Sequence, residues 1–154
     1  MDPVFPSKRD AWIVAVIWLS IAALLAGASV MLRSPGPFAA RVALAGFMLL
    51  AGAFSLWVTY GTRYTVTATE ILVRSGPLRW RVPNAAITSI VPSSNPLSSP
   101  AVSLDRLRVA HRGANGRERA LLLSPADRAG FLAAVAAHCP SLALSGDRLV
   151  PRVG

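Results

Sequence analysis

The sequence predicts an α+β membrane protein: a hairpin of two transmembrane helices, then a small antiparallel sheet or partly open barrel closed by a C-terminal helix. Three observations carry this reading. Two uncharged apolar runs fill the first part of the chain, period-two alternation takes over after Gly61, and one amphipathic helical stripe follows around Phe131.

With 53% hydrophobic and 15% charged residues, the 154-residue chain is too apolar for an ordinary soluble domain. Part of it is expected in lipid, which leaves one small domain and no room for a large active-site enzyme. Net charge is +9, and Lys8 is the sole lysine among the 16 basic residues. An arginine excess points to anionic surfaces. For a chain held at a membrane, lipid headgroups come before nucleic acid, each nearby basic residue contributing roughly 1 kcal/mol. Nucleic acid is the less favoured partner, because the arginines do not interleave with aromatics as in a base-stacking platform.

The first span, 11–32, reads AWIVAVIWLSIAALLAGASVML. At 1.5 Å per residue it crosses a hydrocarbon core of about 30 Å. A second, 42–62, follows a short Ser-Pro-Gly-Pro connection that permits only a tight antiparallel hairpin. A cleaved signal peptide is the competing reading of the first run; its apolar stretch is long for that, and a second span follows at once. Neither span holds an ionisable Asp, Glu, Lys, Arg or His, so neither offers a proton relay or ion path. Lys8 and Arg9 before the first span, with Arg63 and Arg74 after the second, outweigh Arg33 and Arg41 in the connection. Both termini, residues 1–10 included, are therefore expected in the cytoplasm. Trp12, Trp57, Tyr60 and Tyr64 are expected as an aromatic belt on that face. Ala23 and Gly27 against Ala51 and Ser55 are small residues suited to helix packing.

Beyond the spans, Tyr64–Ala68, Ile71–Gly76, Leu78–Val82 and Ile87–Val91 read as strands separated by turn residues. In Leu78-Arg79-Trp80-Arg81-Val82, Arg79 and Arg81 alternate to the solvent side. Pro92–Pro100 reads as a Ser/Pro loop, a connector or a binding loop. The next strand, Leu104–His111, turns Leu107 and Val109 inward and Arg106 and Arg108 outward, and a Gly113–Gly116 turn returns it through Arg117–Leu123. Ser124 is expected as a helix N-cap, with Pro125 in the first turn and Asp127 at the capping-box position. Phe131, Leu132, Val135 and either His138 or Cys139 form the buried stripe, Pro140 stops the helix, and the 139–154 tail is expected to fray.

A lone Cys139 excludes an internal disulfide and reads as a small buried hydrophobe. His111 and His138 have no partner at ligand spacing, so no metal and no cofactor is expected. No Walker loop, GxSxG elbow, HExxH or CxxC occurs, and no catalytic residue is assigned.

Four segments, Tyr64-Thr65-Val66-Thr67, Ile87–Ile90, the stretch SSPAVSLDRL from Ser98 to Leu107, and Ser124-Pro125 with Asp127 and Phe131, resemble a bacterial PH-like family. Within it they resemble the YyaB-like group of small domains attached to membrane helices. The resemblance spans roughly 63–135 and implies a PH-like fold for 63–138. It singles out Ser99, Pro100, Ser103, Asp105 and Arg106 as a family motif, for which a structural role is expected. Taken with the two spans and the arginine excess, it leads to the expectation of a non-enzymatic interaction or scaffold module anchored at the cytoplasmic face of a bacterial inner membrane. Lys8, Arg9, Arg63, Arg74, Arg79 and Arg81 are its expected contacts to lipid or to a protein partner. The alternative, which one relative suggests, is an immunity protein against a membrane-active antimicrobial peptide. Fold alone does not choose between them, and oligomeric state is open.

Overall fold

The computed structural model describes residues 2–93, 106–113 and 115–152. Helices α1 (Ala11–Arg33) and α2 (Phe38–Gly61) pair as a hairpin. By length and composition both suffice to cross a membrane, and only 11% and 17% of their most apolar stretches are buried. A core helix of a soluble domain would be mostly covered. The second helix starts at Phe38, four residues before the expected Val42, because Pro37 supplies an extended entry and Phe-Ala-Ala-Arg winds readily. Arg41 thereby falls in its first turn. From there its guanidinium donates to the carbonyls of Leu32 and Ser34 at 3.1 and 3.0 Å, satisfying acceptors at the end of α1.

Packing between the helices differs from the expected Ala23/Gly27 and Ala51/Ser55 pairs. The buried positions are Ile21 and Ala28 on α1 and Ala45, Gly52 and Thr59 on α2, while Ala23 and Ser55 face outward. Their seven-residue spacing is that of antiparallel helices wrapping at a shallow angle.

Among the described residues, nine strands follow two hydrogen-bonded orders. One sheet runs β1 (Val4–Pro6), β2 (Arg63–Val66), β3 (Glu70–Ser75), β4 (Leu78–Pro83). The other contains β5 (Ile87–Ser93), β6 (Arg106–Arg112), β7 (Glu118–Leu123), β8 (Leu142–Ser145) and β9 (Arg148–Pro151), in the order β7-β6-β5-β9-β8. All pairings are antiparallel, and a short 3₁₀ turn, Asn84–Ala86, carries the chain from one sheet to the other. The expected PH-like arrangement of antiparallel sheets and a C-terminal helix is present, but the sheets do not close into a barrel. The isolated bridge Ser7↔Pro125 reaches from the first sheet's side to the end of the second.

Both chain ends contribute strands. In the N-terminal segment Val4, Phe5 and Pro6 pair with Thr65, Tyr64 and Arg63. The tail expected to fray from 139 onward is instead held by strand pairing over 142–151. Leu142–Ser145 and Arg148–Pro151 form a hairpin around Gly146, whose φ of 62° suits the turn, and Leu149 docks beside Ile90. Burial of Leu142 and Leu149 explains why this tail is ordered.

Helix α3 (Arg128–His138) lies on the core through Phe131, Leu132 and Val135, and Cys139 rather than His138 completes the stripe. Its N-cap is Asp127, whose carboxylate accepts from the Gly130 N–H at 2.9 Å. Ser124 and Pro125 lie before the helix, held by the N-terminal segment: Lys8 N–H donates to Ser124 C=O at 2.6 Å and Ala126 N–H to Pro6 C=O at 2.9 Å. Phe5 meets Phe131 edge-on at 5.5 Å, and Tyr64 meets it at 6.3 Å. Tyr64 is thus a core residue, 1% exposed, and not part of an aromatic belt. Trp12, Trp57 and Tyr60 remain exposed.

Candidate functional site

Strand alternation puts one set of side chains of the first sheet in the core and the other outside. Ile71, Val73 and Ser75 go in, so Glu70, Leu72 and Arg74 go out. The register then decides which outward residues meet. Pro6, Arg63, Arg74 and Arg79 stand in one row across four adjacent strands. Val4, Thr65, Leu72 and Arg81 form the next. Four arginines separated in sequence are thereby gathered on one face.

Three like charges side by side across a sheet oppose one another, at roughly 0.2–1 kcal/mol per directly opposite pair. Glu70 is the only acid on this face of the four strands and reaches Arg81 at 3.6 Å. That pair contributes little, the Arg81 side chain being 73% exposed. Among the described residues, no carboxylate lies at ion-pair distance from Arg63, Arg74 or Arg79.

The first row adjoins the end of α2. Gly76, at φ 56°, opens the Gly76-Pro77 turn between β3 and β4, and a Cβ there would come within 3.2 Å of the Val58 side chain. Thr62 and Ser75 share a hydrogen bond of 2.9 Å at the same junction. From the segment just before α1, Arg9 stacks over the Tyr60 ring at 4.7 Å and donates to the Tyr60 carbonyl at 3.5 Å. Trp18 donates its indole N–H to the Tyr60 hydroxyl at 3.2 Å. A depression of about 360 Å³ lies among Arg63, Arg74, Arg79 and Arg81, with Val4 and Leu72. A second, of about 330 Å³, lies among Arg9, Tyr60 and Arg63 and shares Val4 and Arg63 with the first.

Of the six expected contact residues, Arg9, Arg63, Arg74, Arg79 and Arg81 thus line adjoining depressions. Lys8 lines neither. Sequence reasoning missed Val4, Thr65 and Leu72 on the same face, because a three-residue strand shows no period and pairing register is not written in composition.

Of the family-motif residues, Ser99, Pro100, Ser103 and Asp105 lie outside the described residues, as does most of the Pro92–Pro100 loop. Arg106, expected to point to solvent, is instead 6% exposed, opposite Ser93 on β5. Its charge acts on Tyr64, whose hydroxyl donates to Ser7 Oγ at 3.2 Å and accepts from the Ser124 N–H at 3.2 Å. Burial raises the Tyr64 pKa above 10.0; the hydrogen bonds and Arg106 offset part of that rise. This buried polar cluster joins the N-terminal segment, β2 and the entry to α3.

Cys139 is buried, its thiol donating to the Asn84 carbonyl at 3.6 Å, and burial raises its pKa. That disfavours the reactive thiolate. Among the described residues, no group of three His, Cys, Asp or Glu is placed to hold a metal ion. His111 sits on β6 and His138 at the end of α3, on separate elements.

The family described as Bacterial PH domain matches residues 62–139, half of the chain. No curated protein and no solved structure matches.

Proposed function

The chain belongs to the bacterial PH domain family, and from that premise we propose that it is a membrane-anchored interaction module of the YyaB-like kind. PH domains are generally non-catalytic modules that bind lipids or proteins. The hairpin of α1 and α2 anchors the domain in a bacterial inner membrane, with both termini in the cytoplasm. The arginine face is the contact surface, for lipid or for an acidic protein patch. The observation that carries the reading is the row Arg63, Arg74, Arg79 beside the end of α2, with no carboxylate among the described residues at ion-pair distance from it. Supporting the shared side of the termini, the segment before α1 pairs with the strand after α2, so both helix ends open onto one folded unit.

The test is recovery of the tagged chain from native membranes in mild detergent, wild type against Arg79→Glu/Arg81→Glu, with protein and lipid mass spectrometry. A partner or lipid enriched with wild type and lost in the variant supports the module. Identical recoveries reject it. The immunity reading then takes its place, and it requires a deletion strain to be more sensitive than its parent to membrane-active peptides.

A further inference from the structure

We propose that the two adjoining depressions form one groove for the headgroup of an anionic phospholipid carrying two phosphates. This inference deepens the interaction-module reading and rests on it.

The cations come in two groups that share a member. Arg9 and Arg63 flank the depression at the helix ends, and Arg63, Arg74, Arg79 and Arg81 flank the one on the sheet. Each group has at least two guanidiniums, enough to hold one phosphate by paired N–H donors. Adjacent strands are about 4.8 Å apart, so Arg63, Arg74 and Arg79 span about 10 Å, wider than a single phosphate needs. Among the described residues no carboxylate lies at ion-pair distance from this row, so its like charges oppose one another, and a bound dianion offsets that repulsion. Leu72 and Val4 leave apolar surface between the cations, suited to the glycerol part of a lipid.

Placement favours a bilayer lipid over phosphate in solution. Arg63 lies two residues past Gly61, the last residue of α2, and Arg9 lies two residues before Ala11, the first of α1. With both helices spanning, these side chains sit at the depth of the headgroups, where Arg9 is already oriented by Tyr60.

The experiment is native mass spectrometry and microscale binding on the purified full chain in detergent. The probes are diphosphatidylglycerol, phosphatidylglycerol and phosphatidylcholine, with inorganic phosphate as competitor. Diphosphatidylglycerol should bind about tenfold tighter than phosphatidylglycerol, with phosphatidylcholine weaker still. Arg63→Gln/Arg74→Gln should lose about tenfold in diphosphatidylglycerol affinity. Arg9→Gln should narrow the gap between the two anionic lipids, and Arg117→Gln, on the distant β6–β7 turn, should leave binding unchanged. Unchanged thermal melts establish that each variant is folded. Equal affinity for both anionic lipids, displacement by inorganic phosphate at matched concentration, or wild-type binding by Arg63→Gln/Arg74→Gln overturns the groove. A protein partner lost in Arg79→Glu/Arg81→Glu while lipid binding stays equal keeps the module and discards the lipid. Loss of neither discards both.

Discussion

Phe131 and Phe47 are both phenylalanines on helices, yet Phe131 is fully buried and Phe47 is 71% exposed. The contrast extends to the two regions they belong to. In the sheet domain most of the large apolar side chains are inside, where Phe131 collects Phe5 and Tyr64 edge-on. In the hairpin Leu19, Phe47 and Leu50 are more than 70% exposed, and four of the five buried positions are the small or polar Ala28, Ala45, Gly52 and Thr59. Where water surrounds an element, large apolar groups decide which side is covered. Where the surroundings are apolar, close backbone approach decides, and small residues mark the seam.

Parallel truncations break or sharpen that contrast most directly. Phe131→Ala should destabilise the domain by about 3–5 kcal/mol in denaturant unfolding of the full chain in detergent. Phe47→Ala should change stability by less than about 0.5 kcal/mol in the same assay. Equal losses at both positions would mean that the hairpin face is packed in a way the structure does not contain.

Next in size is the buried polar cluster, for which the hairpin has no counterpart among the described residues. Tyr64→Phe removes the acceptor of the Ser124 N–H and the donor to Ser7, and should cost about 1–3 kcal/mol. It should also alter the pH dependence. Tyr64 holds its proton more tightly folded than unfolded, so its contribution is complete below the ordinary value of 10.0 and is lost as pH rises through the higher folded value. Wild-type stability should therefore fall above about pH 10 with a component that Tyr64→Phe lacks. A variant with the same alkaline slope as wild type would remove Tyr64 as its source.

A smaller loss concerns how the helices begin. Asp127 caps α3 through its side chain, whereas neither α1 nor α2 has a side-chain cap. Asp127→Ala should cost about 1 kcal/mol by thermal melting, and the structure assigns that cost to the Gly130 N–H left without its acceptor. A change near zero would show that tertiary contacts alone hold the start of this helix.

Much of the site was legible because arginines at alternate positions of a strand must share a face. Arg79 and Arg81 follow from that rule alone. Arg63 and Arg74 were marked by their nearness to the second span, but their alignment with Arg79 came from ladder register. Arg106 was misread because alternation gives the side and not the covering. The start of α3 was misread as well, since Ser124-Pro125 offers a good cap signature that the N-terminal segment takes up instead. The C-terminal hairpin has its local signal in Ser145-Gly146-Asp147-Arg148, a two-residue turn between short apolar runs, but the burial of Leu142 and Leu149 that holds it is a tertiary matter.

By itself the sequence determined the local features: two helices apolar on every side, strands of period two, a helix stripe at Phe131, Leu132 and Val135, and an arginine excess without matching acids. These depend on neighbours within a few residues, and chain periodicity records such neighbours. Only the tertiary structure decided the rest. Val4–Pro6 before the hairpin completes the sheet after it, Leu149 docks beside Ile90, and Arg9 joins Arg63 across the ends of both helices. Each of these contacts joins segments far apart in the chain, and its stability comes from shared burial and ladder hydrogen bonds that no local pattern encodes.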